Sequence, residues 1–481
     1  MMNKMVGIFF KTYGVMMLLS LTFYSCAQKT EERIGHKITI EVVGIKDSST
    51  IVGYHFGNQR LILDSAEIIN DKLELKGEYT LEKGVYFLYS PNFYFEFIIS
   101  DQFFEMKINS ELGYKDIEIS GSEDNELFAQ FQNKMAEIQK QQSELSGRLT
   151  TASAADSISI TQELEGIGLS AKEFRESLIL DNPDLFFISF LKIVQGVTIP
   201  EFEKIEDLQA RKIASFKYYR DHYFDVLDDA PSMMRTPVFH GYVMKYFDDI
   251  VIRQADSVNI EIKDWLDKFE GHPQGFRYWL MTLYTKYQES KIMGMDGVTV
   301  FLSDEYFLTD KVDFMDEDQK LEIEEELKFI RPNLIGKMAP MMNLLDTAMQ
   351  PFSLNQLNEK YLIYFFYDPD CGHCKKKTPV LKEAYADLKE AGAEVIAICT
   401  ITDTDKWKKF IKEQKLDWLN LGDPLYQNNF RMEYNVRTTP QLYVLNQERK
   451  IIAKKIDVEQ VLDFIQNYEL LDQNIAQKSM N

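Results

Sequence analysis

Cysteine is scarce in this chain: only Cys26, Cys371, Cys374 and Cys399 occur among 481 residues. A scaffold stapled by disulfides is thereby excluded, because such frameworks need several paired thiols. The six histidines are scattered, and no second ligand pair accompanies Cys371 and Cys374. A four-ligand zinc site therefore has no support, and no metal is expected. Haem attachment needs histidine directly after the second cysteine, where Lys375 stands. Positive charge is also in deficit, with 54 Lys and Arg against 76 Asp and Glu for a net −22. Phosphate backbones bind to basic surfaces, so nucleic acid is not an expected partner. No run reaches the roughly 20 apolar residues that a membrane-spanning helix needs.

What is present begins with the N-terminus. Lys4 and Lys11 flank a short apolar stretch, Val15–Tyr24, which ends at Ser25-Cys26 before the polar Ala27–Glu32. That length suits the core of a signal peptide, here residues 1–26. A small residue before a cysteine, followed at once by polar sequence, resembles the lipobox of bacterial lipoproteins. The resemblance implies lipidation at Cys26 and a chain in the cell envelope, facing the periplasm or the cell surface and held by its acyl chains. Phe23 and Tyr24 depart from the lipobox pattern, and a plain secretory signal that contains a cysteine is the alternative.

At this length several cores are expected. Residues 36–122 alternate with period two: Ile38, Ile40 and Val42 share one strand face, and Val85–Tyr89, Phe93–Ile99 and Ile117–Ile119 follow between turn residues. This reads as an all-β, antiparallel sandwich or barrel. The period then becomes helical over 123–330. Leu127, Phe128, Phe131, Met135 and Ile138 form one stripe, and Leu164, Ile167, Ala171, Phe174 and Leu178 another, which predicts an antiparallel helical hairpin. Further helical patterns cover Phe186–Val194, Phe202–Phe224, Val238–Ile252, Ile260–Phe269, Gly275–Tyr287 and Asp316–Phe329.

Residues 331–470 read as α/β. Tyr361–Phe366 is a continuous apolar run, as in a strand buried on both faces. A helix through Val380, Leu381, Ala384 and Leu388 follows, then a strand Glu394–Cys399 and a helix Thr404–Gln414. Strands Gln441–Leu445 and Ile451–Lys454 and a helix Val458–Tyr468 complete the order of a thioredoxin fold. Cys371-Gly372-His373-Cys374 sits where the buried strand ends and the next helix begins. Free N–H groups and the positive helix end there favour a thiolate at Cys371, to which His373 can add charge or a hydrogen bond. Asp368 and Asp370 oppose this by placing negative charge beside the thiols.

Cys-Gly-His-Cys resembles the active-site motif of protein disulfide isomerase domains. Thr439-Pro440 is similar to the cis-proline loop of thioredoxin folds, and Leu334–Pro340 resembles the segment leading into TlpA/ResA-type thiol-disulfide oxidoreductases. The resemblance implies Cys371 as nucleophile, Cys374 as resolving thiol, and Thr439 and Pro440 as the ledge for substrate. It further implies exported protein thiols and disulfides as partners, a separate electron donor, and no cofactor beyond the redox-active Cys371-Cys374 pair. The acid that such folds place six residues before the first cysteine is Phe365 here. The direction of exchange, reduction or isomerisation as against oxidation, stays open. The threonine-and-cysteine arrangement of a peroxidase is not found. Cys399 is expected to be an inert core thiol. The alternative to an enzyme is a lipid-anchored binding scaffold whose β and helical parts do the main work.

Overall fold

A computed structural model describes residues 35–479; the signal segment and Cys26 lie outside the described residues. Eight strands come first: β1 (His36–Val43), β2 (Ser49–Phe56), β3 (Gln59–Glu67), β4 (Lys72–Gly77), β5 (Gly84–Ser90), β6 (Phe93–Ile99), β7 (Phe103–Asn109) and β8 (Gly113–Ser120). They form two four-stranded sheets, ordered β4-β1-β7-β8 and β3-β2-β5-β6. Alternation puts Ile38, Ile40 and Val42 of one sheet, all fully buried, in one core with Val52, Leu88 and Phe97 of the other. The sheets are not wholly antiparallel: β1 and β7 run parallel, which the long intervening chain permits.

The middle of the chain is helical, with α1 (Glu123–Leu149), α2 (Ala154–Asp181), α3 (Phe186–Gln195), α4 (Leu208–Asp221), α5 (Phe239–Lys245), α6 (Ala255–Asp267), α7 (Pro273–Gln288), α8 (Asp296–Leu302) and α9 (Glu317–Ile330). The paired helices α1 and α2 carry the two stripes, burying Phe128, Phe131, Ile138, Ala171 and Leu178. The helix expected from Phe202 starts only at Leu208, because Phe202 takes a left-handed φ of 51° that no helix tolerates. The helical core is continuous with the β part: Val85 and Ile98 belong to it. Buried Asn125 of α1 accepts from the Ile98 N–H at 2.8 Å and donates to its carbonyl at 2.7 Å.

The C-terminal part holds β9 (Leu344–Leu345), β10 (Pro351–Phe352), β11 (Tyr361–Tyr367), α10 (Gly372–Glu390), β12 (Ala393–Cys399), α11 (Thr404–Gln414), β13 (Leu419–Gly422), α12 (Phe430–Glu433), β14 (Gln441–Leu445), β15 (Ile451–Lys454) and α13 (Val461–Ser479). Their sheet runs β10-β9-β13-β12-β11-β14-β15, with β11, β12 and β13 parallel and β14 antiparallel to β11. Every residue of β11 is buried. Its odd positions, Tyr361 to Tyr367, pack with Leu381 of α10, Phe410 of α11 and Ile465 of α13. Its even positions pack with Phe430 and Tyr434 on the other face. The expected fold class, β then helical then thioredoxin-like α/β, is the one observed.

Candidate active site

Strand β11 stops at Tyr367, and a tight turn carries the chain into α10: the Cys371 N–H donates to the Asp368 carbonyl at 3.1 Å. Asp368 also accepts the Asp370 N–H on its carboxylate at 2.7 Å. The turn leaves Cys371 as the N-cap of α10, in extended backbone with φ −71° and ψ 121°. Its sulfur accepts the Cys374 N–H at 3.5 Å, so the thiol occupies the place that serine or aspartate takes at other helix starts. Gly372 and His373 fill the first turn between the two cysteines.

The two thiols have opposite surroundings. Cys371 is partly exposed, whereas Cys374 is fully buried. Burial works to raise the Cys371 pKa, but it is outweighed by the Cys374 N–H and thiol, by Thr439 and by the His373 N–H, and the thiol is held below its ordinary range. Cys374 accepts the Asp368 N–H at 3.5 Å, yet burial dominates and its pKa is pushed up to about 12. The expected pairing with the proline loop is present. Thr439–Pro440 is a cis peptide, and the Thr439 carbonyl accepts the Cys371 thiol at 3.2 Å.

The charge around the motif is arranged differently from the sequence expectation. Asp370 turns outward to Lys406, at 2.7 Å, and both are fully exposed. That pairing blunts the negative charge beside Cys371 and holds the Asp370 carboxyl below its usual range. Lys377 turns away to Glu459 at 2.7 Å. Phe365, where the family's acid would sit, is wholly buried among apolar side chains. Cys399 is buried in the same core, and burial pushes its thiol up to about 12. Sequence reasoning did not find Lys406, nor Tyr367 and Trp407 behind the thiols. Lys406 approaches only because Asp403 caps α11 and brings its first turn to Asp370, a contact that no local pattern announces. Among the described residues, no three His, Cys, Asp or Glu side chains are gathered closely enough to hold a metal ion.

Comparison with known proteins gives this geometry a family. Residues 335–454 match the AhpC/TSA family, and residues 36–128 match a family described only as a domain of unknown function, DUF4369. Thiol-disulfide oxidoreductase ResA of Bacillus cereus is 26% identical over 137 residues, covering 28% of this chain and 76% of that protein. Chloroplastic peroxiredoxin Q of Sedum lineare is 31% identical over 102 residues, covering 21% of this chain and about half, 53%, of that protein. A crystal structure of a domain of a possible thiol-disulfide isomerase from Cytophaga hutchinsonii is 36% identical, with a TM-score of 0.29, covering 30% of this chain and 98% of that one. The C-terminal part of this chain is a thioredoxin-like domain of the AhpC/TSA family, of thiol-disulfide oxidoreductase kind.

Proposed function

We propose that the protein reduces or isomerises disulfides in exported proteins through Cys371 and Cys374. One observation carries the reading: an accessible, activated sulfur at a helix N-cap stands three residues before a buried, protonated one. The Cys371 thiolate attacks one sulfur of the substrate disulfide and expels the other as a thiolate, forming a mixed disulfide. Cys374 loses its proton to solvent and attacks the Cys371 sulfur, which releases the second substrate thiolate. The substrate has then gained two electrons and the enzyme holds a Cys371–Cys374 disulfide, which an external dithiol must reduce. In isomerisation a substrate thiolate attacks the mixed disulfide instead. The Thr439 carbonyl beside the nucleophile supports Thr439 and Pro440 as the edge on which an extended substrate lies. The lipobox-like sequence supports a site of action in the cell envelope, tethered through acyl chains on Cys26.

Insulin reduction and scrambled-ribonuclease refolding test the activity. Wild type should turn over and Cys371→Ser should not, while Cys374→Ala should accumulate mixed disulfides that identify substrates. Equal rates for wild type and Cys371→Ser would remove the proposal, and consumption of hydroperoxide in place of disulfide would move it to peroxidase chemistry. Palmitate should label wild type and not Cys26→Ala.

A further inference from the structure

Resolution of the mixed disulfide needs Cys374 as a thiolate, in a position that opposes charge. The sulfur is fully buried, and the strand beneath it presents Phe365 where a carboxylate is expected. One residue on that strand face does carry a polar atom. Tyr367 lies two positions beyond Phe365, its ring stacked on Phe365 at 5.8 Å and on Phe410 at 5.1 Å. It is wholly buried in the cluster that holds Cys374 and Cys399, and Cys399 is its register partner across β11 and β12.

The Tyr367 hydroxyl closes no hydrogen bond of ordinary geometry. The Trp407 indole N–H faces it and closes none either. Buried polar groups are rarely left so, because an unpaired hydroxyl costs the desolvation that a partner would offset. Each such group in a native core calls for a partner in some state of the protein. The backbone indicates which state. Tyr367 immediately precedes Asp368, whose N–H already contacts the Cys374 sulfur at 3.5 Å, so the end of β11 is delivered to that thiol.

We propose that Tyr367 is a positioning residue for the resolving thiol, its hydroxyl donating towards the Cys374 sulfur when that sulfur carries negative charge. The proposal rests on the exchange reading above and adds to it the group that supports the buried thiolate. Burial first, then the nearby Cys399 and Cys374, raise the phenol pKa far above its ordinary value. The phenol therefore stays protonated and acts as a donor, not a base. The Cys374 proton leaves to solvent as before.

The test separates the two half-steps. Reduced full-length protein carrying Cys399→Ala is mixed with an aromatic disulfide that releases coloured thionitrobenzoate. Attack by Cys371 releases one equivalent and leaves the other on its sulfur. Attack by Cys374 then releases the second. Tyr367→Phe should leave the first phase unchanged, slow the second roughly tenfold at neutral pH, and move its pH profile upward. An unchanged second phase and profile would overturn the proposal, as would an Asp368→Asn variant that reproduces the defect while Tyr367→Phe does not. Absence of the first phase in the parent protein would instead remove the exchange reading. A second measurement needs no change at Tyr367: its phenol carbon resonance should shift between reduced protein and Cys374→Ala, and an unmoved resonance also overturns the proposal.

Discussion

At the scale of single residues, the two thiols of the motif are set apart by exposure and by N–H groups, not by neighbouring charge. Cys371 gains three helix-start contacts for the little burial it suffers, and its pKa falls; Cys374 is buried with one weak N–H contact, and its pKa rises to about 12. The sign of the pH dependence follows. Alkylation of the reduced protein by iodoacetamide should show a midpoint below the value of about 8.5 for a free cysteine. The whole of that low-pH wave should vanish in Cys371→Ser. Cys374 and Cys399, both pushed up to about 12, should stay silent through it. A midpoint at or above that of free cysteine would contradict the geometry. Stability has two opposing slopes. Cys371, depressed in the fold, stabilises the reduced protein above the unfolded pKa of about 8.5 and loses that as pH falls through its folded pKa. Cys374, raised in the fold, stabilises below about 8.5 and loses that as pH climbs towards its folded value.

At the scale of elements, α10 starts on the very atom that does the chemistry. A sulfur that accepts the Cys374 N–H is a helix cap as well as a nucleophile. Cys371→Ser retains a capping oxygen and Cys371→Ala does not, so the serine variant should be the more stable of the two by about 0.5–2 kcal/mol. Urea unfolding of both under reducing conditions measures this, and equal midpoints would show that the cap contributes nothing. The same element shows what was readable beforehand. Strand β11 declared itself as an unbroken apolar run, and α10 by its spacing, so Cys371 and Cys374 could be placed at the junction from sequence. The Thr439-Pro440 loop came from resemblance to a motif, since nothing in local periodicity links residues so distant in the chain. Other elements were mute for physical reasons. Helix α8 buries Val298, Thr299, Val300 and Leu302 and so shows no polar stripe of helical period. Strands β9 and β10 are two residues each, too short to carry a pattern. Strand β4, rich in Lys and Glu, has the alternation but not the composition of a strand. Tyr367 and Trp407 read simply as core aromatics; only the packed fold shows that their polar atoms meet behind the thiols.

At the scale of the whole molecule, the thioredoxin-like part is fixed to the helical part by a buried cation. Lys454 of β15 is 4% exposed; its ammonium reaches Asp296 at the start of α8 and donates to Asn333 at 3.0 Å. Around it, Arg437 pairs with Glu326 at 2.7 Å and lies over the Phe329 ring, and Asn333 donates to the Glu433 carbonyl at 2.8 Å. Burial lowers the Lys454 pKa, and the attraction of Asp296 recovers only part of the loss. A buried ion pair of this kind contributes more to orientation than to stability, because desolvation consumes most of the Coulomb gain. The asymmetry between its partners makes the argument testable. Asp296→Ala leaves the cation buried with only Asn333 to meet it and should cost about 1–3 kcal/mol, whereas Lys454→Met should cost less than about 1 kcal/mol or stabilise. The pH dependence sharpens the contrast. With its folded pKa below its unfolded one, Lys454 binds its proton less readily in the native state, so stability should grow as pH rises through the window between them, up to about 10.4. Removing Asp296 lowers the folded pKa further and widens that window; removing the lysine abolishes it. Urea unfolding of the full chain over roughly pH 8 to 10, followed by tryptophan fluorescence, should show a steeper rise for Asp296→Ala than for wild type and none from this site for Lys454→Met. Parallel curves for all three proteins would mean that the cation is solvated at the junction and does not hold the two parts together.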